Sequence, residues 1–397
     1  MFRNFEVMMT IEKMCIGTKE VGAGCPIYIV AEAGTNHDSS LEQARQLIAA
    51  AADAGVDAVK FQSFKAREMY PPNIGVVDVP GGPIDFYEYM RSREMPDEWL
   101  PELKEACDDA GVAFISTPFY PEIVPRLKEC GAPAIKIASA EVTHIPLLRA
   151  VARTRLPVII STGFSTLAEI DEAVRCLNEG GCRDIVLLQC IAAYPTPVEE
   201  CNLRVMESLR LAFGLPAGFS DHTTDPRDVP RLVTALGGDV IEKHFTLDRN
   251  LTGPDHPFAL EPGELRQMVR DIREVESWPR EKKKQFVNSG ERFEKILGCS
   301  VKRVSPLEKE IYPCEKRSIR ARRNIARGET LTAGSIGVLR FTKNSKQGIS
   351  PRYYSLLLGK KTACAVAQGD GVCWEDLLEG QSLERKRPER SSIPVRL

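Results

Sequence analysis

The residues best suited to chemistry stand at the ends of short apolar runs. His222 follows the run PAGFSD, and His244 lies in DVIEKHF. Either histidine alone has a plain structural reading. As a pair on neighbouring strands, two neutral imidazoles can share one divalent ion and leave coordination positions open for water and a carbonyl. Glu32, in IYIVAEAG, could reach such a site as a base. A second set comprises Lys60, Thr117, Lys136, Ser139 and Ser161. Ammonium groups are compact charges suited to phosphate, and hydroxyls supply the remaining hydrogen bonds. A buried lysine without a partner is costly, and an anionic ligand removes that cost. Two other readings stay open. One is a buried Lys–Glu pair, for instance with Glu141; the other is a Schiff-base lysine.

These side chains share a position. Eight short apolar, β-branched runs alternate with amphipathic stretches between Pro26 and about Trp278. The runs cover 27–34, 57–64, 112–119, 134–139, 157–163, 184–190, 216–221 and 239–245. In LEQARQLIAAAADAG (41–55), apolar residues recur every three or four positions, the mark of a helix with one buried face. Strands alternating with helices predict a parallel sheet. Eight such units have the size of a closed (β/α)8 TIM barrel, an α/β fold. A doubly wound open sheet is the competing architecture, but no G-x-G-x-x-G follows the first run. In a barrel all strand C-termini converge on one face. Glu32, Lys60, Thr117, Lys136, Ser139, Ser161, Gln189, His222 and His244 all lie at those ends, so they are expected to meet there. The spacing thus predicts an anion pocket facing a metal site across one barrel mouth.

Composition narrows the alternatives. The 397 residues hold 53 basic and 55 acidic side chains, a net charge of −2. That balance points away from nucleic acid and from anionic membranes as partners. No apolar run approaches the length needed to span a bilayer, and Glu6 and Glu12 interrupt the N-terminal stretch. The 12 cysteines include no C-x-x-C pair, so reduced thiols and a cytoplasmic location are expected. Residues 1–25 form an N-terminal extension and 26–280 the barrel. Residues 281–315 read as a linker or solvated helix, 316–378 as a small strand-rich domain, and 379–397 as a disordered tail. The basic run KRSIRARRNIAR (316–327) could bind a polyanion. Without accompanying aromatic residues it reads rather as the solvated face of a strand pair.

The motifs AEAGTNHDSSLEQARQLI (31–48), AGVDAVKFQSF (54–64), STPF (116–119), KIASAE (136–141), ISTGFST (160–166), LQCIAAYPTP (188–197), GFSDHT (218–223), IEKHFTLD (241–248) and GPDHPFALEP (253–262) run in order through the barrel. Together they resemble the sialic acid synthase family, NeuB-type nonulosonate synthases. RSIRARRNIARGETLT (317–332) and GISPRYYSLLLGKK (348–361) resemble its antifreeze-like (SAF, β-clip) domain. The resemblance implies condensation of phosphoenolpyruvate with the open-chain aldehyde of a 2-acetamido sugar, giving a nine-carbon 2-keto acid and phosphate. It implies His222 and His244 as ligands of a divalent metal, Mn2+ foremost, with Mg2+ or Co2+ as substitutes. Glu32, Lys60 and Lys136 match the remaining catalytic positions. Thr117, Ser139 and Ser161 match the phosphoenolpyruvate pocket; Gln62, Tyr194 and Asp255 match further substrate contacts. The resemblance also implies a domain-swapped homodimer in which Arg340 reaches the partner's sugar. Two departures stand out: Ala192 replaces a residue that is polar in many members, and FTKNSKQG (341–348) replaces a short proline-glycine loop after Arg340. The long loop around PGGPIDFYEY (80–89) lies where a barrel places a substrate lid. A synthase acting on a phosphorylated sugar, or a non-catalytic sugar-binding relative, are the alternative readings. The first would need a second phosphate site, and the strand ends offer no second Lys/Arg set.

Overall fold

In the computed structural model, residues 13–79, 82–341 and 346–377 are described. Eight parallel strands close into a barrel: β1 (Tyr28–Gly34), β2 (Ala58–Ser63), β3 (Ala113–Pro118), β4 (Ile135–Ile137), β5 (Val158–Ser161), β6 (Ile185–Cys190), β7 (Ala217–Asp221) and β8 (Val240–His244). β8 pairs with β1, which completes the ring and excludes the open-sheet alternative. Each strand falls within a run read from the sequence. Helices between the strands pack on the outside, beginning with α1 (Leu41–Ala54). The Ser40 side chain caps the start of α1 and left-handed Gly55 ends it.

Period-two alternation sorts the strand residues into two cores. Ile29, Ala31, Val59, Phe61, Phe114, Ile160 and Leu187 face the helices. Val30, Ala58, Ile115, Ala134, Ile159, Val186, Leu188 and Val240 fill the barrel interior. Two residues further along each inward series the apolar filling stops. There stand Glu32, Lys60, Thr117, Lys136, Ser161 and Glu242, all buried. The same alternation turns Gln189 away: it faces outward and donates to the Cys201 carbonyl at 3.0 Å, so it does not join the mouth. The N-terminal extension is partly structural. A hairpin of Met14–Ile16 and Lys19–Val21 places Met14, Ile16 and Val21 in the barrel's inner core.

The segment after the barrel is not a free linker. Helices Arg280–Val287 and Glu291–Leu297 lead into a strap along the barrel, where Leu203 and Arg204 donate to the Ile296 and Leu297 carbonyls. The small domain has one antiparallel pair, β9 (Ser318–Ala321) and β10 (Ile336–Leu339), extended by isolated bridges such as Ile325 to Val366. The domain is less strand-rich than expected: the segments ARGETLT (326–332) and GISP (348–351) form no strand, and the first makes the isolated Thr330–Lys361 bridge. Of the basic residues in the run, only Arg323 and Arg327 are solvated. Lys316, Arg317 and Arg320 are buried. Arg317 pairs with Glu141 of the barrel at 2.7 Å, Lys316 with Glu169 at 3.0 Å and Arg322 with Glu68 at 2.5 Å. Arginine's planar fork suits such buried pairs. The run docks the small domain on the barrel. The tail from residue 379 and part of the 341–348 loop lie outside the described residues.

Candidate active site

Strand register builds the mouth from neighbours. His244 of β8 pairs with Glu32 of β1, and Glu32 with Lys60 of β2. Gln62 of β2 pairs with Thr117 of β3. A bulge between Glu32 and Gly34 turns β1 inward at its end. Gly34 has φ +53, and a Cβ there would stand 3.1 Å from an Asp255 oxygen and 3.3 Å from Glu32 and Gln62. Only glycine lets the three side chains crowd together at that point.

The mouth holds a cavity of about 200 Å³. Besides Gln189, twelve residues are expected here, and eleven of them line it: Glu32, Lys60, Gln62, Thr117, Lys136, Ser139, Ser161, Tyr194, His222, His244 and Asp255. Arg340, the twelfth, does not. Its guanidinium is taken by Glu315 at 2.6 Å and Glu141 at 3.2 Å, and its backbone N–H donates to Met69. It lies over the ring of Phe119, which lines the cavity. Its charge is spent on fastening the small domain. Sequence reading missed Glu242, Ser220, Cys190 and Arg93, which also line the mouth. The first three continue inward-facing strand positions and were legible by counting in twos. Arg93 carries no such signal, because it comes from the long segment after β2. That segment, the expected lid, supplies Met90 and Arg93 to the cavity.

Electrostatics divide the cavity in two. Lys60 forms an ion pair with Glu32 at 2.5 Å and donates to Thr117 Oγ1 at 3.0 Å. Burial opposes its charge, but Glu242 and Glu32 outweigh that and hold its pKa above the usual lysine value. Lys136 donates to Ser161 Oγ at 2.6 Å and to the Ile137 carbonyl, with Glu242 3.7 Å away. Here burial dominates and Lys60 adds repulsion, so the pKa of Lys136 is lowered. The Lys–Glu reading therefore holds for Lys60, although its partners are Glu32 and Glu242 rather than Glu141. Lys136 has less negative charge close to it than Lys60 has.

Opposite lie the imidazoles. Their ring centroids are 5.4 Å apart. Nδ1 of His222 donates to the Ile191 carbonyl at 2.8 Å, so in the neutral ring Nε2 carries the lone pair; burial lowers its pKa, but Cys190, the Ile191 carbonyl and Glu242 outweigh that and raise it. His244 is buried, and its Nδ1 has no hydrogen-bond partner. Burial, with His222 and Lys60 nearby, keeps its pKa well below the ordinary range, so the ring is neutral. Asp255 lies 3.9 Å from His244 Nδ1; burial and Glu32 push its pKa up to about 6. Among the described residues no three His, Cys, Asp or Glu side chains form a ready cage for a metal. The donor set fits an ion held by two imidazoles with other positions open, and the orphaned His244 nitrogen supports that fit. Tyr194 packs on His222, centroids 4.2 Å apart.

The sequence profile of the NeuB family matches residues 47–284, and that of the SAF domain residues 316–378. The chain belongs to the NeuB family. It is 40% identical over 366 residues to the spore coat polysaccharide biosynthesis protein SpsE of Bacillus subtilis, covering 91% of this chain and 96% of that one. The crystal structure of that protein superposes with a TM-score of 0.80 over 92% of this chain and 99% of its own. The N,N'-diacetyllegionaminic acid synthase of Campylobacter jejuni is 36% identical over 84% of this chain and 94% of its own. The N-acetylneuraminic acid synthetase of Leptospira borgpetersenii, solved with citrate, is 30% identical with a TM-score of 0.62, over 75% of this chain and 94% of that one. This NeuB-family chain thus shares both its barrel and its small domain with the family. No described helix is long and apolar enough to cross a membrane.

Proposed function

We propose that the barrel mouth condenses phosphoenolpyruvate with the open-chain form of an unphosphorylated 2-acetamido sugar, releasing phosphate and a nine-carbon 2-keto acid. Family membership makes the chain an enzyme of the phosphoenolpyruvate-dependent synthase class. One observation carries the substrate assignment: Lys136, buried with Glu242 as its nearest carboxylate at 3.7 Å, shares a cavity with two imidazoles, of which His244 has a buried ring nitrogen without a hydrogen-bond partner among the described residues. A phosphorylated, carboxylated enol supplies further negative charge. Thr117, Ser139 and Ser161 supply hydroxyl hydrogen bonds beside the two lysines.

The chain's residues then act as follows. Lys60 and Lys136 neutralise the phosphate and carboxylate and fix the enol with C3 toward the histidines. His222 and His244 would hold a divalent cation, Mn2+ by resemblance, with Mg2+ or Co2+ able to substitute. When bound, the cation supplies Lewis acidity at the aldehyde oxygen. C3 of the enol bonds to the aldehyde carbon, water adds to C2, and the C2–O bond to phosphate breaks. Glu32 is held by Lys60 and Gln62, so it orients those two rather than moving freely. Tyr194 and Asp255 flank the acceptor side. A Schiff-base lysine is not needed, since both lysines are engaged by hydroxyls.

Arg93 is the group we assign to reading the sugar. It stacks on Tyr89, donates to Asp38 and to the Thr252 carbonyl, and keeps a buried Nε without a partner. Arg93→Ala is expected to raise the KM for the sugar about tenfold, the size of one charged hydrogen bond, and to leave that for phosphoenolpyruvate unchanged. A single arginine does not make the second phosphate site that a phosphorylated acceptor would need, which disfavours that alternative. Phosphate release from phosphoenolpyruvate tests the function directly. N-acetylmannosamine, its 6-phosphate and 6-deoxy diacetamido sugars should be assayed with and without Mn2+. Turnover with an unphosphorylated acetamido sugar is expected; none with any sugar would favour a non-catalytic relative.

We also propose the homodimer. The contacts of the small domain with the barrel can be exchanged between two copies without changing any pair. In either arrangement Arg340 rests beside Glu141. Sedimentation at twice the chain mass is expected, and a monomer would remove the dimer. The lack of any C-x-x-C pair among the 12 cysteines suits a reducing cytoplasm, where this reading places the enzyme.

A further inference from the structure

We propose that Glu308, which lies outside the barrel in sequence, is a positioning residue that sets the spacing of two loops forming the pocket. The residue sits in the strap between barrel and small domain and has 0% exposure. One carboxyl oxygen accepts from the backbone N–H of Phe164 and from that of Ala192, both at 2.9 Å. The other accepts from Ser305 N–H at 2.8 Å, closing a capping box on the short helical turn Pro306–Glu308. Phe164 lies in the loop after β5, three residues beyond Ser161. Ala192 lies in the loop after β6, two residues before Tyr194. A single oxygen therefore ties together the loops that carry a hydroxyl of the anion side and the aromatic ring against His222.

The fit at this point is close. A Cβ on Gly163 would stand 2.9 Å from Ser139 Oγ, 3.1 Å from the Glu308 oxygen and 3.3 Å from Ala192 Cβ. Ser139 lines the cavity, so Glu308 lies directly behind its wall. Phe164 has φ +52, a left-handed conformation that residues with a Cβ adopt reluctantly. In that conformation its N–H reaches Glu308. The buried carboxyl is partly compensated by the nearby charges of Lys302 and Lys316, both buried in the same strap and domain edge. At position 192, where the sequence departs from a polar residue, the backbone N–H is thus held by the strap.

For its functional half the proposal rests on the phosphoenolpyruvate reading; its structural half does not. Glu308→Asp keeps the charge and shortens the reach. Glu308→Gln keeps one acceptor oxygen for the Phe164 and Ala192 N–H groups but turns its amide toward Ser305. Backbone hydrogen exchange on the full chain is the first measurement. Glu308→Asp is expected to speed exchange at Phe164 and Ala192 at least tenfold, with β1 to β4 unchanged. Equal exchange in variant and wild type would overturn the clamp, whatever the enzyme acts on. Calorimetry with phosphoenolpyruvate is the second. Glu308→Asp is expected to bind it about tenfold more weakly, and Glu308→Gln to recover most of that loss. Unchanged affinity in Glu308→Asp, alongside faster exchange, would overturn the positioning role. A wild-type chain that binds no phosphoenolpyruvate would instead count against the proposed function, and exchange would still decide the clamp.

Discussion

Lys136→Met is expected to lower kcat/KM for phosphoenolpyruvate by about a hundredfold, with the fold intact. Truncating one partner of a desolvated charge contact costs about 2–5 kcal/mol, and each 1.4 kcal/mol is about tenfold. Lys136 is the stronger choice of the two lysines. Lys60 has Glu32 at 2.5 Å, so its loss would also leave that carboxylate unpaired and blur the result. Lys136 has only Glu242 at 3.7 Å, and burial already disfavours its charge. Methionine fills a similar volume without a charge to desolvate, so stability should change by roughly 1 kcal/mol, which is about one degree in melting temperature for a chain of this size. Steady-state kinetics with phosphoenolpyruvate varied at saturating sugar is the measurement. A wild-type KM and kcat in this variant would remove the anion pocket from the barrel mouth.

His222→Ala and His244→Ala are each expected to abolish turnover and to weaken Mn2+ binding by about a hundredfold or more, since each removes one of two protein donors. Replacing merely an outer partner of a metal ligand typically costs 10–100-fold. Binding is read from the free-ion electron paramagnetic resonance signal, so the result does not depend on finding the correct sugar. The two variants should differ in their structural cost. His222 holds the Ile191 carbonyl, and its loss leaves that acceptor to the Thr196 hydroxyl, 3.1 Å away, in the loop ahead of Tyr194. The His244 ring Nδ1 has no hydrogen bond to lose, so His244→Ala is the cleaner test of ligation. Undiminished Mn2+ binding in both would dismiss the two-histidine site.

Much of this enzyme can be read from the chain alone. Period-two strands and helix stops mark the barrel because each strand and helix must bury one face, and that need is written locally. The strand-end polar residues follow, since a closed parallel barrel brings every strand C-terminus to one mouth. Glu242 was equally legible two residues before His244, yet an acid next to a lysine attracts less notice than a histidine. Three things were decided only by tertiary structure. The basic run at 316–327 looks solvated by its composition; Lys316, Arg317 and Arg322 are instead drawn against the barrel because Glu169, Glu141 and Glu68, far away in sequence, face them across a domain boundary. Arg340 is spoken for by the same kind of pairing and so leaves the pocket. Arg93 and Glu308 reach the mouth from irregular segments, whose paths are set by packing against the barrel and not by any period in the sequence. Local patterns encode which face of an element is buried, whereas the partner of a buried charge depends on which distant segment the folded chain brings opposite it.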